Sequence, residues 1–318
     1  MVILEKRLIK HKGHEIGNIN DFKQLLNRAA EKFGDNVAFK YKKDASSKTP
    51  VYIEKTFNEY KKEAENLGTT LLKMGLEEKR IAVIGPNRYE WCTTYIAALA
   101  GNMVIVPLDK ALPKEEIKSL IFRSKVDAVI FDKKYADVFK EIKIENNTNL
   151  KYYICMDNLE DKEFLNYADL VNEGKLARTE GDNSFDNVKI DNQKMSIMLF
   201  TSGTTSMSKA VMLSQYNICS NVNAMPHFVI MNESDVLLSF LPIHHTYECT
   251  CGFLCPIYRG SSICYCMGLK YITKNLQEYK PTMVLTVPLV IESIYKNLVR
   301  TIEKNGMTKK LNMGKQIT

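Results

Sequence analysis

From residue 81 onward, short apolar runs rich in β-branched residues alternate with longer helical patterns. Ile81–Ile84, Val104–Pro107, Ala128–Phe131 and Tyr152–Cys155 have the length and composition of buried strands. Between them, Arg88–Ala100, stopped by Gly101, and a segment opened by Pro113 and carrying Ile117 and Leu120 read as helices. Strands alternating with helices satisfy their backbones side by side in a largely parallel sheet, and the helices must then cover both faces. The expected fold is therefore α/β, with layered sheets and helices on both faces.

The flanking segments agree with this reading. Asp21 predicts the N-cap of a helix running to Phe33 and stopped by Gly34. Val37–Tyr41 and Val51–Ile53 predict short strands. Thr56-x-x-Glu59 is a capping box, and Phe57, Tyr60, Ala64, Leu67 and Leu71 follow on one helical face. Residues 174–194 are polar and turn-rich, which predicts a linker between a first α/β lobe (1–173) and a second (195–318). In the second, strands are expected near Ser196–Phe200, Val236–Leu241, Ser262–Cys266 and Met283–Val287. Helices are expected near Gln215–Val229, His245–Tyr258, Ile272–Glu278 and Pro288–Lys304.

Composition removes several function classes. The net charge is +7, but lysines are interleaved with acids and no basic stripe with aromatics appears, so no nucleic-acid partner is expected. No uncharged apolar run approaches a membrane span, and residues 1–8 lack the apolar core of a signal peptide. The eight cysteines form no Cys-x-x-Cys pair. The expected location is cytoplasmic, with reduced thiols and at most peripheral membrane contact.

Residues 195–213 carry the strongest chemical signal. An apolar run ends in Thr201-Ser-Gly-Thr-Thr205, Lys209 follows, and a second apolar run begins. Strand, hydroxyl-rich turn, strand is a poor choice for packing. It is a good one for holding phosphate oxygens with backbone N–H groups, hydroxyls and an ammonium. A P-loop does not fit: after Gly203 the second glycine position is Ser208, the hydroxyl position after Lys209 is Ala210, and no helix pattern follows.

The stretch Phe200-Thr-Ser-Gly-Thr-Thr-Ser-Met-Ser-Lys209 resembles the signature of the adenylate-forming, AMP-binding superfamily. Three further stretches resemble it in the same order. They are Asn87-Arg-Tyr-Glu-Trp91 with Val106-Pro-Leu-Asp109, then Leu241-Pro-Ile-His-His-Thr-Tyr-Glu248, and then Lys280-Pro-Thr…Val287-Pro…Glu292-Ser-Ile-Tyr295. The last two are similar to the long-chain acyl-CoA synthetase branch. The resemblance implies an AMP-forming fatty acid–CoA ligase. A carboxylate attacks the α-phosphate of Mg-ATP, pyrophosphate leaves, and coenzyme A then takes the acyl group. It implies that Thr201, Ser202, Gly203, Thr204, Thr205 and Lys209 bind the ATP phosphates, that His245 is catalytic, and that Glu248, one helical turn on, supports it. ATP, Mg2+ and coenzyme A are the implied cofactor and co-substrates, and a fatty acid or other carboxylate the substrate.

Ser206, Ser208 and Ala210 stand where the signature has glycine, proline and glycine. The family's downstream Tyr-Gly-x-Thr-Glu and Thr-Gly-Asp stretches and its C-terminal lid lysine are missing, including the glutamate that ligands Mg2+. The resemblance is thus to the N-terminal part of a synthetase, expected to be inactive alone: truncated, or one half of a split enzyme that works with a separate C-terminal chain. The alternative is a non-catalytic remnant serving as a binding module.

Two plainer readings stand beside these. His244 reads as a structural histidine rather than a site residue, and His245 could itself cap the helix after Pro242. Cys249, Cys251, Cys255, Cys264 and Cys266 suggest a metal or redox protein, but their spacing matches no standard zinc site, and buried free thiols are common. No metal-ligating set is expected.

Overall fold

The computed structural model describes residues 17–43, 49–159, 162–201 and 208–304. Helix α1 (Phe22–Phe33) starts where Asp21 accepts a hydrogen bond from the Gln24 N–H at 2.8 Å. Strands β1 (Val37–Lys42) and β2 (Tyr52–Thr56) follow, antiparallel to each other. Helix α2 (Phe57–Lys73) opens with both halves of the Thr56–Glu59 capping box formed, and Phe57, Tyr60, Ala64, Leu67 and Leu71 are all buried. The alternation then runs as expected through β3 (Arg80–Ile84), α3 (Tyr89–Ala100), β4 (Val104–Leu108), α4 (Lys114–Ser124) and β5 (Ala128–Phe131), and a helix the sequence reading did not include, α5 (Ala136–Glu145), precedes the expected β6 (Tyr152–Cys155).

A short β7 (Leu165–Asn166) leads into α6 (Tyr167–Thr179) and α7 (Ser184–Asn187). The polar stretch expected as a linker thus contains the end of one helix and all of another. The hairpin β8 (Met195–Thr201) and β9 (Lys209–Ser214) precedes α8 (Gln215–Ala224). That helix stops short of Val229 because Pro226 has no N–H to donate, and the chain tightens into a 3₁₀ turn, Met225–His227. Strand β10 (Val236–Ser239), a π-helical segment (Glu248–Leu254), α9 (Cys255–Arg259), β11 (Ser262–Tyr265), α10 (Ile272–Tyr279) and α11 (Pro288–Lys304) complete the described chain. Met283–Val287 forms no strand, only the single bridge Leu237–Met283.

The larger sheet has seven strands in the order β7-β6-β5-β3-β4-β8-β9, parallel except for the β8–β9 hairpin. The smaller has four, β10-β11-β1-β2. Both draw strands from either side of residues 174–194: β4 pairs with β8, and β1 with β11. Between the sheets lies an apolar layer of helices. Trp91 stacks on Tyr95 with ring centroids 5.4 Å apart, and Phe39 meets Tyr60 at 4.8 Å. Trp91 is fully buried, the core anchor that its residue type suggests. Helices α4 and α5 cover the other face of the large sheet, and no helix among the described residues is long and apolar enough to cross a membrane.

Candidate functional site

Ligands of open α/β sheets bind outside the carboxyl ends of the strands, where connecting loops diverge. Here β3 is followed by Asn87 and Arg88, β4 by Asp109 and Lys110, β8 by the hydroxyl-rich turn, and β10 by His244, His245 and Glu248. The strands themselves are rigid supports; every residue of β4 is buried.

Thr201 and Lys209 face each other as the last ladder pair of the β8–β9 hairpin, and both are exposed. The two expected strands are therefore present and antiparallel, with a hydroxyl and an ammonium at the open end of the ladder. Such a pair suits the phosphates of ATP, whose charge and oxygens need cationic and hydroxyl donors. Ser202, Gly203, Thr204 and Thr205 lie outside the described residues. Ser208, where the family signature has proline, is tied to α4: its Oγ donates to Glu116 Oε1 at 2.9 Å, and the Arg123 guanidinium donates to its carbonyl. Nothing local in the sequence announced that anchor, because its partners are 92 and 85 residues away.

The second half of the site is the segment after β10. His245 is exposed, whereas the side chain of His244 is only 9% exposed and their rings lie 4.0 Å apart. Burial pushes His244 down to about 4, with His245 and Lys110 adding to the effect and Asp109 opposing it. Glu248 is 1% exposed, and its carboxyl partner is Ser239, whose Oγ donates to Oε1 at 2.6 Å. Burial pushes Glu248 up to about 7, against the lowering effect of that hydrogen bond. The carboxyl also sits over Gly252, where a β-carbon would stand 2.7 Å from Glu248 Cδ. Glu248 opens the π-helical segment, and the missing side chain of Gly252 within it leaves the room this carboxyl occupies.

Asn87 joins the two sheets at this point. Its Nδ2 donates to Ser239 Oγ at 2.8 Å and to the Leu241 carbonyl at 2.7 Å, and its Oδ1 accepts from the Ile243 N–H at 3.3 Å. Asn87 and Ser239 were not singled out as site residues by sequence reasoning; Asn87 belonged to a quoted stretch and Ser239 to an expected strand. Asn87→Ala is expected to cost roughly 2–4 kcal/mol, because it takes a partner from the Leu241 carbonyl, the Ile243 N–H and the Ser239 hydroxyl, all on buried residues. Urea unfolding measures this, and a midpoint unchanged from the parent would contradict the clamp.

A narrow, mainly apolar cleft lies between β8 and the segment after β10: Pro107 of β4 and Ile197 and Leu199 of β8 line it together with His244, Thr246 and Cys249. A wider cavity of about 490 Å³ opens beyond Asn87, walled by Lys110, Phe240 and Tyr265. All eight cysteines are free, and six are buried. Cys251, half-buried, is pushed down to about 7 by a hydrogen bond from Cys255.

Comparison with known proteins bears on this geometry. A family model described as "AMP-binding enzyme" matches residues 26–314. Long chain acyl-CoA synthetase 5 of Arabidopsis thaliana is 28% identical over 309 residues, covering 93% of this chain and 46% of the relative. Long-chain-fatty-acid–CoA ligase 5 of Rattus norvegicus is 28% identical over 258 residues, covering 73% of this chain and 36% of the relative. The chain thus spans less than half the length of these relatives. Among solved structures, a long-chain-fatty-acid-CoA ligase from Archaeoglobus fulgidus superposes with a TM-score of 0.75 at 19% identity, covering 93% of this chain and 56% of the other. That likeness shows the fold.

Proposed function

Because the chain belongs to the AMP-binding enzyme family, we propose that it supplies the phosphate-gripping and carboxylate-facing side of an AMP-forming fatty acid–CoA ligase. One observation carries the reading. The Thr201–Lys209 hairpin mouth stands at the carboxyl end of β8 and the His244–Glu248 segment follows that of β10, and Ile197 and Leu199 of β8 line one narrow cleft with His244 and Thr246. ATP would supply the activated phosphorus that a carboxylate can attack, and Mg2+ would offset the charge of its phosphates.

The residues of this chain have separable tasks. Lys209 and Thr201, with Ser202, Gly203, Thr204 and Thr205, hold phosphate oxygens and offset their charge. His245, exposed beside His244, meets the carboxylate and the α-phosphate. Glu248 serves at one remove, bonded to Ser239 and through it to Asn87, and fixes the backbone that presents the histidine. The carboxylate substrate is a fatty acid, as the names of the relatives suggest. Adenine and ribose contacts and the Mg2+ glutamate are placed on a further polypeptide segment, in the same protein or on a separate chain. Free, mostly buried thiols favour a cytoplasmic setting.

Calorimetric titration with pyrophosphate and with Mg-ATP tests the grip. Lys209→Ala should weaken pyrophosphate binding by roughly tenfold, the worth of one charge-assisted hydrogen bond. Equal affinity in parent and variant would refute the assignment. Fatty-acid-dependent ATP–pyrophosphate exchange tests the chemistry: it is expected only when the missing segment is added, and robust exchange by the chain alone would overturn that division of labour.

A further inference from the structure

We propose that Asp109, His244 and His245 form a binding site for a late first-row divalent cation such as Zn2+. One ligand atom from each residue lies within 4.8 Å of the others, and these three are the only such group among the described residues. The pair that is already set is His244 Nε2 and Asp109 Oδ2, 3.6 Å apart. Two ligand atoms bound to tetrahedral zinc at its usual bond lengths stand about 3.4 Å apart. Closing this pair on a cation therefore takes only a few tenths of an ångström.

The second observation is an orphan. His244 Nε2 is buried with no hydrogen-bond partner. A buried polar nitrogen without a partner is rare in native proteins and costs roughly 1–3 kcal/mol. It points toward a carboxylate oxygen that is itself held ready. Asp109 Oδ1 accepts from the Ala111 N–H at 2.8 Å, which fixes the carboxylate and leaves Oδ2 facing the imidazole. His245 closes the group from the solvent side, its ring 4.0 Å from that of His244 and tilted by 47°.

Chemistry selects the occupant. Two imidazoles and one carboxylate suit zinc, cobalt or nickel, while Mg2+ prefers oxygen ligands and keeps its waters. The site is therefore distinct from the Mg2+ that accompanies ATP, and the inference stands whether or not the proposed ligase reaction does. Three ligands leave a fourth position open to solvent. The adjacent Lys110 ammonium works against the cation, so the affinity is that of an open site rather than of a closed structural one. Occupancy would engage His245 and so block its proposed meeting with a carboxylate.

The test titrates the full chain with Zn2+ alone in excess Mg2+, by calorimetry, and repeats it with Co2+ by absorption. One equivalent is expected, with the weak visible bands of nitrogen and oxygen ligation and no thiolate charge-transfer band. His244→Ala and His245→Gln should each weaken Zn2+ at least about tenfold, since a lost ligand costs no less than a lost supporting partner, about 10–100-fold. His245 is exposed, so its variant should fold even if the His244 variant does not. Cys251→Ser should bind as the parent does. Unchanged affinity in His245→Gln, or a thiolate band that Cys251→Ser abolishes, would overturn the proposal.

Discussion

Replacing Gly174 with alanine is expected to destabilise the protein by about 3 kcal/mol. Helix propensity argues the other way: in the interior of a helix, alanine is ordinarily better than glycine by about 1 kcal/mol. The packing decides the sign. A β-carbon at Gly174 would lie 1.8 Å from the Asn66 carbonyl oxygen, 2.6 Å from its carbon and 2.8 Å from Thr70 Oγ1. Asn66 lies inside α2, so the obstacle is helical backbone, not the end of a flexible side chain. Thr70 cannot swing away freely either, because its Oγ1 donates to the Leu170 carbonyl of α6 at 2.7 Å. The two helices must separate by more than an ångström, which pulls buried Tyr167 and Leu170 out of register with the core. Urea unfolding measures the cost, with Lys175→Ala as a neighbouring exposed control expected within about 0.5 kcal/mol of the parent. A Gly174→Ala protein as stable as the parent would mean that α2 and α6 do not approach this closely.

That close approach also shows what the sequence withheld. Gly174 reads locally as part of a polar, turn-rich stretch; only the meeting of α6 with α2 explains it. Signals that act within a few residues were legible: the Asp21 cap, the Thr56–Glu59 box, the apolar face from Phe57 to Leu71, and the strand cores at 81–84, 104–107, 128–131 and 152–155. The order of strands was not, because pairing β4 with β8 or β1 with β11 depends on contacts between distant segments. The site divides in the same way. The mouth of the β8–β9 hairpin follows from an apolar–hydroxyl–apolar pattern, and the structure sets Thr201 against Lys209. The bond from Asn87 to Ser239 spans 152 residues and has no local signature. The resemblance put Glu248 one helical turn from His245; that its carboxyl turns inward to Ser239 had no local signature. Between adjacent histidines, residue type could not decide which ring is buried, and it is His244 that the fold encloses.

Glu248→Gln is expected to stabilise the protein at pH 8 and to leave it nearly unchanged at pH 4. The Glu248 carboxyl is pushed from an ordinary value of 4.5 up to about 7, first by burial, with Cys251 adding to the rise and Ser239 and Lys110 opposing it. A group whose folded value is raised leaves stability intact below the unfolded value, where both states are protonated. That stability is lost as pH climbs from about 4.5 to about 7, because the unfolded chain ionises freely while the folded one resists. The full loss corresponds to roughly 3 kcal/mol above pH 7. Glutamine removes the penalty and keeps an oxygen to accept the Ser239 hydroxyl. Its amide N–H groups must find acceptors near Gly252, so the net gain at pH 8 should be smaller, about 1–3 kcal/mol. His244, pushed down by burial, changes stability in the opposite sense over part of the same range. The difference between variant and parent cancels that contribution and isolates Glu248. Chemical unfolding of both proteins at pH 4, 6 and 8 gives this difference directly. A difference that grows with pH fits a buried, reluctant acid; a constant one would place the Glu248 carboxylate in contact with water.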